Sequence, residues 1–387
     1  MSKYLKLNSA TVQICLIFFS WKVLLILISL LAIQFIPLGY TDRFLGGGSE
    51  NFKLAPELFS WANFDGEHYL SIAIFGYKGL EQAFFPVFSM LISFFAKPFS
   101  EGLLSSLINS TIVGLIISNA SFLIALLLLY DLIRIDFSKK IAFLVITLIV
   151  FFPTSFYLGA LYNESLFLLL AVLSFYSARK KKWFLASVFG MIASATRIFG
   201  VLLLPALLIE VYLQKEKISR SFWLVLIPLG LGAYMMYQYL TIGDGLAFYH
   251  IQPLVGEQRQ SNLVVLPQVY FRYLKMMFTV DLHSPIYQTI LLEFIVGIVF
   301  FILPVYGYFK KIRLSYLFYA FIGFLITTVQ GSFSSVPRYV LVFFPSFIAL
   351  ALWLNQYPKL FKIILFIIFF IGLILESTLF FRVYWVA

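Results

Sequence analysis

Long apolar runs separated by short polar clusters set the rhythm of this chain. Eleven runs recur, at roughly 11–37, 106–133, 141–158, 163–178, 183–196, 198–213, 222–241, 286–308, 314–329, 338–354 and 359–380. Most hold about 15 to 27 residues, enough for a helix, allowing for tilt, to cross a hydrocarbon core of about 30 Å. A bilayer offers backbone amides no partner, so each run is read as a helix that satisfies its own. The pattern predicts an all-α polytopic membrane protein, one domain over 1–387, with about eleven transmembrane helices. The first run follows Lys3 and Lys6 and has no small-residue cleavage site behind it, so it is read as a retained helix.

Two longer polar segments, 38–105 and 242–285, interrupt the runs. The first begins with the glycine-rich "LGGGSEN" and carries two amphipathic stretches, 61–76 and 84–97, too short or too polar to span and expected along the interface. The second has "GDG" at 243–245 as a turn and aromatics at Phe248, Tyr249, Tyr270, Phe271 and Tyr273. Loops of such length in a compact protein are usually functional.

Composition agrees with the pattern: 62% hydrophobic residues and a mean hydropathy of +0.97 exclude an ordinary soluble domain. One cysteine, Cys15, excludes an internal disulfide and a Cys-based metal cluster. The net charge of +11 could suggest nucleic acid, but the cations gather in short clusters at 134–140, 179–182, 215–220, 310–313 and 359–362. Such clusters mark cytoplasmic loops, which places the N-terminus inside and the two long segments outside. Most carboxylates, among them Asp65, Glu67, Glu81, Glu164 and Asp244, then fall on the extracytoplasmic side, where the polar chemistry is expected.

The stretch "WANFDGEHYLSIAIFGY" concentrates that chemistry. On a helix, Trp61, Asp65, His68, Tyr69 and Ile72 share one face while Glu67 points away. A carboxylate beside aromatic rings is a better proton acceptor than a hydrated one, which makes Asp65 a candidate general base; a helix cap is the plainer alternative. His68 reads as a hydrogen-bonding neighbour. The histidines His68, His250 and His283 have no ligand-like spacing, so no metal and no other cofactor is expected.

Farther along, Tyr162, Asn163 and Glu164 lie at the mouth between two runs, where capping by Asn163 is the simpler reading. Arg197 and Arg338 stand at helix ends where topology gives no reason for them. A cation at membrane depth is costly, and a guanidinium fork suits phosphate, so an anion is favoured over an internal ion pair as their compensation. No P-loop, GxSxG or GxGxxG pattern is present. Energy for a synthetic reaction is therefore expected to arrive pre-activated on a lipid.

Taken in order, "WANFDGEHYLSIAIFGY", "AFFPVFSML", "YNESLFLLL", "ASATRIFGVLL" and "SSVPRYVLVFFPSF" resemble the motifs of PIG-V-like mannosyltransferases, relatives of the GPI mannosyltransferase that adds the second mannose, within the GT-C glycosyltransferases. The resemblance runs from about residue 60 to 350. It implies an inverting, metal-independent sugar transfer, usually of mannose, from a polyprenyl- or dolichyl-phosphate donor to a glycolipid or glycan acceptor. It implies further that Asp65 matches the acid of the first external loop, with Glu164, Arg197 and Arg338 at later motif positions. The chain is shorter than the eukaryotic relatives, which points to a prokaryotic plasma membrane and away from a GPI acceptor.

Residues and resemblance meet in one scheme: Asp65 deprotonates an acceptor hydroxyl, and Arg338, helped by Arg197 or His250, stabilises the leaving phosphate. The acceptor or sugar is expected to touch Glu67, His68, Tyr69, Tyr162, Asn163, Glu164, Tyr249 and Gln252. Two rivals share the topology. A transporter or flippase of lipid-linked saccharides should show internal repeats and broken helices near mid-depth. A lipid-linked polymer ligase should carry its main catalytic groups in a late external loop.

Overall fold

The computed structural model describes residues 9–39, 48–255, 264–329 and 331–386. Lys3, Lys6, Arg43, Arg259, Glu257 and the opening of "LGGGSEN" lie outside the described residues. Within them the chain is helical, with no strand.

Five helices are long and apolar enough to cross a membrane: Ser9–Phe35, Gly102–Ile133, Ser219–Ile242, Ile286–Phe309 and Lys359–Phe381. A sixth is added if Val336–Val342 and Phe344–Asn355, which meet at a 90° bend, are counted as one span. The expected eleven are thus not matched by eleven full-length helices, and the local chemistry explains where the runs break. The 141–158 run is helical over Lys139–Val150, then turns at Phe151–Thr154, a stretch that includes Pro153, and resumes as a 3-10 turn at Ser155–Leu158. The 183–196 and 198–213 runs part at Arg197, whose backbone is extended (φ −155°, ψ 150°). The 338–354 run breaks at Phe343, and Pro345 sits in the first turn of the new helix, where its missing N–H costs nothing.

Helices pack closely where small residues allow it. A Cβ on Gly230 would lie 1.9 Å from the Met191 carbonyl oxygen, so the glycine sets how near Ile227–Ile242 can approach Trp183–Thr196. Lys22, inside the first helix, donates to the Gly159 carbonyl at 3.1 Å and lies 3.7 Å from the centre of the Trp61 ring.

Charged groups collect in two clusters. In one, Glu210, fully buried, accepts from Arg313 at 2.7 and 2.9 Å and from Ser315 at 2.6 Å, and it lies 3.4 Å from Arg179, which also pairs with Asp136. These groups come from loops assigned to one face by their cations. Asp65, Glu164, Arg197 and Arg338 form a separate cluster.

Candidate active site

Asp65 opens a helix that runs to Phe75. The expected start at Trp61 is overturned: Ser60–Ala62 is a separate 3-10 turn, Asn63 is extended, and Phe64 takes a positive φ of 55°. Asn63 causes the break by spending its side-chain amide on the carbonyls of Ser60 (3.0 Å) and Phe380 (2.7 Å). Trp61 consequently leaves the Asp65 stripe and packs on Phe381, ring centres 4.6 Å apart. Released from that stripe, Asp65 keeps about a third of its side chain exposed (31%).

The segment 155–163 folds over this corner. Tyr162 donates to the Asn63 carbonyl at 2.8 Å, and the Leu161 amide donates to the Trp61 carbonyl at 2.9 Å. Glu164 begins the next helix. Asn163 does not cap it with its side chain; its amide donates to the Thr196 carbonyl at 2.9 Å and its oxygen accepts from Arg197 at 2.8 Å.

Both arginines turn inward to this corner. Arg338 donates through Nη1 to Asp65 Oδ2 at 2.6 Å and through Nη2 to the Tyr339 hydroxyl at 3.2 Å. Glu164 Oε1 lies 2.5 Å from Arg197 Nη1 and 3.5 Å from Arg338 Nε. The expectation that an anion rather than an ion pair balances these cations is therefore corrected: two buried carboxylate contacts and Asp65 already do so. The reason is tertiary, since Asp65 and Arg338 are 273 residues apart.

Aromatic rings wrap the cations. The Arg338 guanidinium lies 5.4 Å from the ring centres of both Tyr157 and Tyr162, and 4.9 Å from Tyr339. Tyr339 also faces Arg197 at 5.2 Å. Burial, the largest cause, holds the Tyr69 and Tyr162 hydroxyls well above their ordinary pKa, with the nearby carboxylates adding to it. Two polar atoms in this shell, Glu164 Oε2 and Arg338 Nε, are buried without a hydrogen bond. A carboxylate with an accessible edge beside a guanidinium can take a proton from a hydroxyl while the cation meets negative charge developing nearby.

The remaining expected residues are more dispersed. His68 stacks on Phe84 with ring centres 4.6 Å apart, and burial lowers its pKa against the opposing pull of Asp65 and Glu81. Glu67 is half-buried on the same helix. In the second long segment, His250 is exposed and paired with Asp244 at 2.8 Å, Tyr249 is exposed, and Gln252 donates to the Phe248 carbonyl at 3.0 Å. Phe248 packs on Phe85, which brings this segment beside the His68–Phe84 stack. Among the described residues, no three His, Cys, Asp or Glu side chains gather as a metal-binding group.

Sequence reading missed Tyr157, Tyr339, Glu293 and the site role of Tyr273. The aromatics were hidden in a chain rich in rings. Glu293 had a signal, a carboxylate inside an apolar span, where an ionisable group is functional by default.

Residues 50–238 match the family model described as mannosyltransferase (PIG-V). The match covers just under half of the chain. That region contains Asp65, Glu164 and Arg197, and Arg338 lies beyond it. No curated protein matches the chain. Its fold is similar to two crystal structures of the Archaeoglobus fulgidus oligosaccharyltransferase. One, in complex with zinc and sulfate, is 14% identical with a TM-score of 0.43 over 92% of this chain and 53% of that one. The other, tethered by a disulfide to an acceptor peptide containing the NVT sequon, is 13% identical with a TM-score of 0.44 over 94% and 55%. The chain thus spans about half the length of these relatives.

Proposed function

We propose that this integral membrane protein is a glycosyltransferase that moves a sugar, mannose by its PIG-V region, from a polyprenyl- or dolichyl-phosphate donor to the hydroxyl of a glycolipid or glycan. The observation that carries the reading is the contact of the accessible Asp65 carboxylate with the buried Arg338 guanidinium at 2.6 Å. The PIG-V match supplies the reaction class.

In the proposed step an acceptor hydroxyl sits at the open edge of Asp65 and gives its proton to the carboxylate. Its oxygen bonds to the anomeric carbon from the face opposite the phosphate, and the bond from that carbon to the phosphate oxygen breaks. The electron pair leaves with the lipid phosphate, giving inversion. Arg338 has two duties in this scheme. While it holds Asp65 it favours the ionised carboxylate, ready to accept but weakly basic. As charge grows on the phosphate, the guanidinium is drawn to it, and Asp65 gains basicity when the proton must move. Arg197 is held by Glu164 beside the same rings and adds positive potential to the leaving-group side.

The test uses the full chain in lipid nanodiscs, with polyprenyl-phosphate mannose as donor and an alkyl mannoside as acceptor. Release of polyprenyl phosphate coupled to a new mannoside is expected; Asp65→Asn should lower it by about 10²-fold or more while the protein still binds polyprenyl phosphate. Near-normal turnover in Asp65→Asn overturns the reading.

A further inference from the structure

The arginine that faces Asp65 is not aimed by its own helix. Four residues, Val336–Tyr339, cannot fix a side chain by themselves, and the turn before them contains Ser335 in the left-handed conformation, φ 63°. Something outside must hold that turn. Glu293, buried in the Pro285–Phe309 helix, accepts from the Ser335 amide through Oε1 at 3.1 Å. Its other oxygen accepts from the Tyr273 hydroxyl at 2.6 Å. Tyr273 in turn accepts from the Phe333 amide at 3.1 Å and lies 3.2 Å from Ser332 Oγ.

One helical turn from Glu293, Gly297 completes the seat. A Cβ there would stand 3.0 Å from the Phe333 ring, so glycine lets that ring lie closer to the helix than any other residue would without a shift. Tyr270 and Tyr273, each with its ring centre 5.0 Å from that of Phe333, close it from the other side. Both tyrosines belong to Leu266–Thr279, the amphipathic helix of the second long segment. Arg272 of the same helix donates to the Gly331 carbonyl at 3.0 Å.

We propose that Glu293 and Tyr273 form a clamp that aims Arg338, making them positioning residues for the phosphate-facing arginine. The inference rests on the reading of Arg338 given above. It assigns the second long segment a function unrelated to touching the acceptor: its helix grips the 331–335 turn and so sets the affinity of the site for lipid phosphate. The carboxylate is suited to the task because it alone accepts from both the Tyr273 hydroxyl and the Ser335 amide. Glutamine in its place offers one acceptor, so either its N–H faces the Ser335 amide or the Tyr273 hydroxyl must turn its proton away.

The experiment measures binding of polyprenyl monophosphate to the full chain in nanodiscs, beside the donor KM and kcat for mannose transfer. Glu293→Gln and Tyr273→Phe should each weaken binding roughly tenfold, as expected for loss of a buried hydrogen bond, and should lower kcat as well because Arg338 also meets the charge growing on the leaving phosphate. Glu293→Asp, which keeps both acceptors, should recover part of the loss. In an Arg338→Ala background, Glu293→Gln should cause no further loss of binding, whereas a residue that merely stabilises the bundle would. Unchanged binding in both single variants, or a full additional loss in the Arg338→Ala background, overturns the clamp. If Arg338→Ala itself leaves binding intact, the phosphate-binding role of Arg338 fails instead, so the two failures are told apart.

Discussion

Tyr162 donates a hydrogen bond to the backbone carbonyl of Asn63 at 2.8 Å, tying the turn before Glu164 to the turn before Asp65. Two candidate carboxylates are thereby held in one frame although they start different helices. The same tyrosine faces the Arg338 guanidinium, so one side chain registers three parts of the site.

Tyr162→Phe removes that bond and leaves the ring. The Asn63 carbonyl loses a buried donor, which should cost about 1 kcal/mol of stability. Thermal unfolding in detergent is expected to show this modest loss, together with a larger fall in sugar transfer than the stability change alone would produce.

Asp65→Asn should lower turnover by about 10²–10⁴-fold, the range of positioned proton transfer. Glu67→Gln, two residues on, should leave most of it. Initial rates of lipid-phosphate release from the two purified proteins measure the contrast, and equal losses would remove the special place given to Asp65.

Glu164 is the shared anion of two arginines, 2% exposed. Truncating one partner of a buried ion pair costs about 3–5 kcal/mol because the other charge is stranded. Glu164→Ala should therefore unfold at a clearly lower temperature than Glu164→Gln, which keeps an oxygen for Arg197. A double change of Glu164 and Arg197 to Gln and Met should recover stability but not transfer.

His68 carries the pH prediction. Burial holds its folded pKa below the usual 6.5. The unfolded chain then binds the proton first as pH falls, so this contribution to stability is whole above 6.5 and is lost as pH descends from there toward the folded value. His68→Gln should flatten that part of the stability curve. Melting temperatures between pH 5 and 8, a window set by the ordinary histidine range, report the difference.

Much of this architecture is visible in the chain. The runs at 11–37, 106–133, 183–196, 286–308 and 359–380 became helices within a few residues because length and apolarity decide such elements. The break at Arg197 was legible too, since a cation divides the apolar runs 183–196 and 198–213, but the break at Phe343 was not, since it depends on turn backbone that tertiary contacts impose. At the site, Asp65, Glu164, Arg197 and Arg338 stood out as ionisable groups out of place in an apolar chain. Their mutual pairing did not, because no local pattern links residues 65 and 338. The aiming of Arg338 was hidden for the same reason: Glu293 lies on a different helix, and its partners come from the Leu266–Thr279 helix and the 331–335 turn.

The 90° bend at Phe343 separates two tasks that a continuous span would have fused. The helix from Phe344 to Asn355 anchors to the bundle, while the turn that carries Arg338 answers to Glu293 and Tyr273. Segment 331–342 is in this sense a separately seated wedge: Phe333, Val336 and Val340–Val342 are fully buried and the Pro337 carbonyl accepts from Thr154 at 2.6 Å, so the arginine it carries is held by neighbours on several sides rather than by the span.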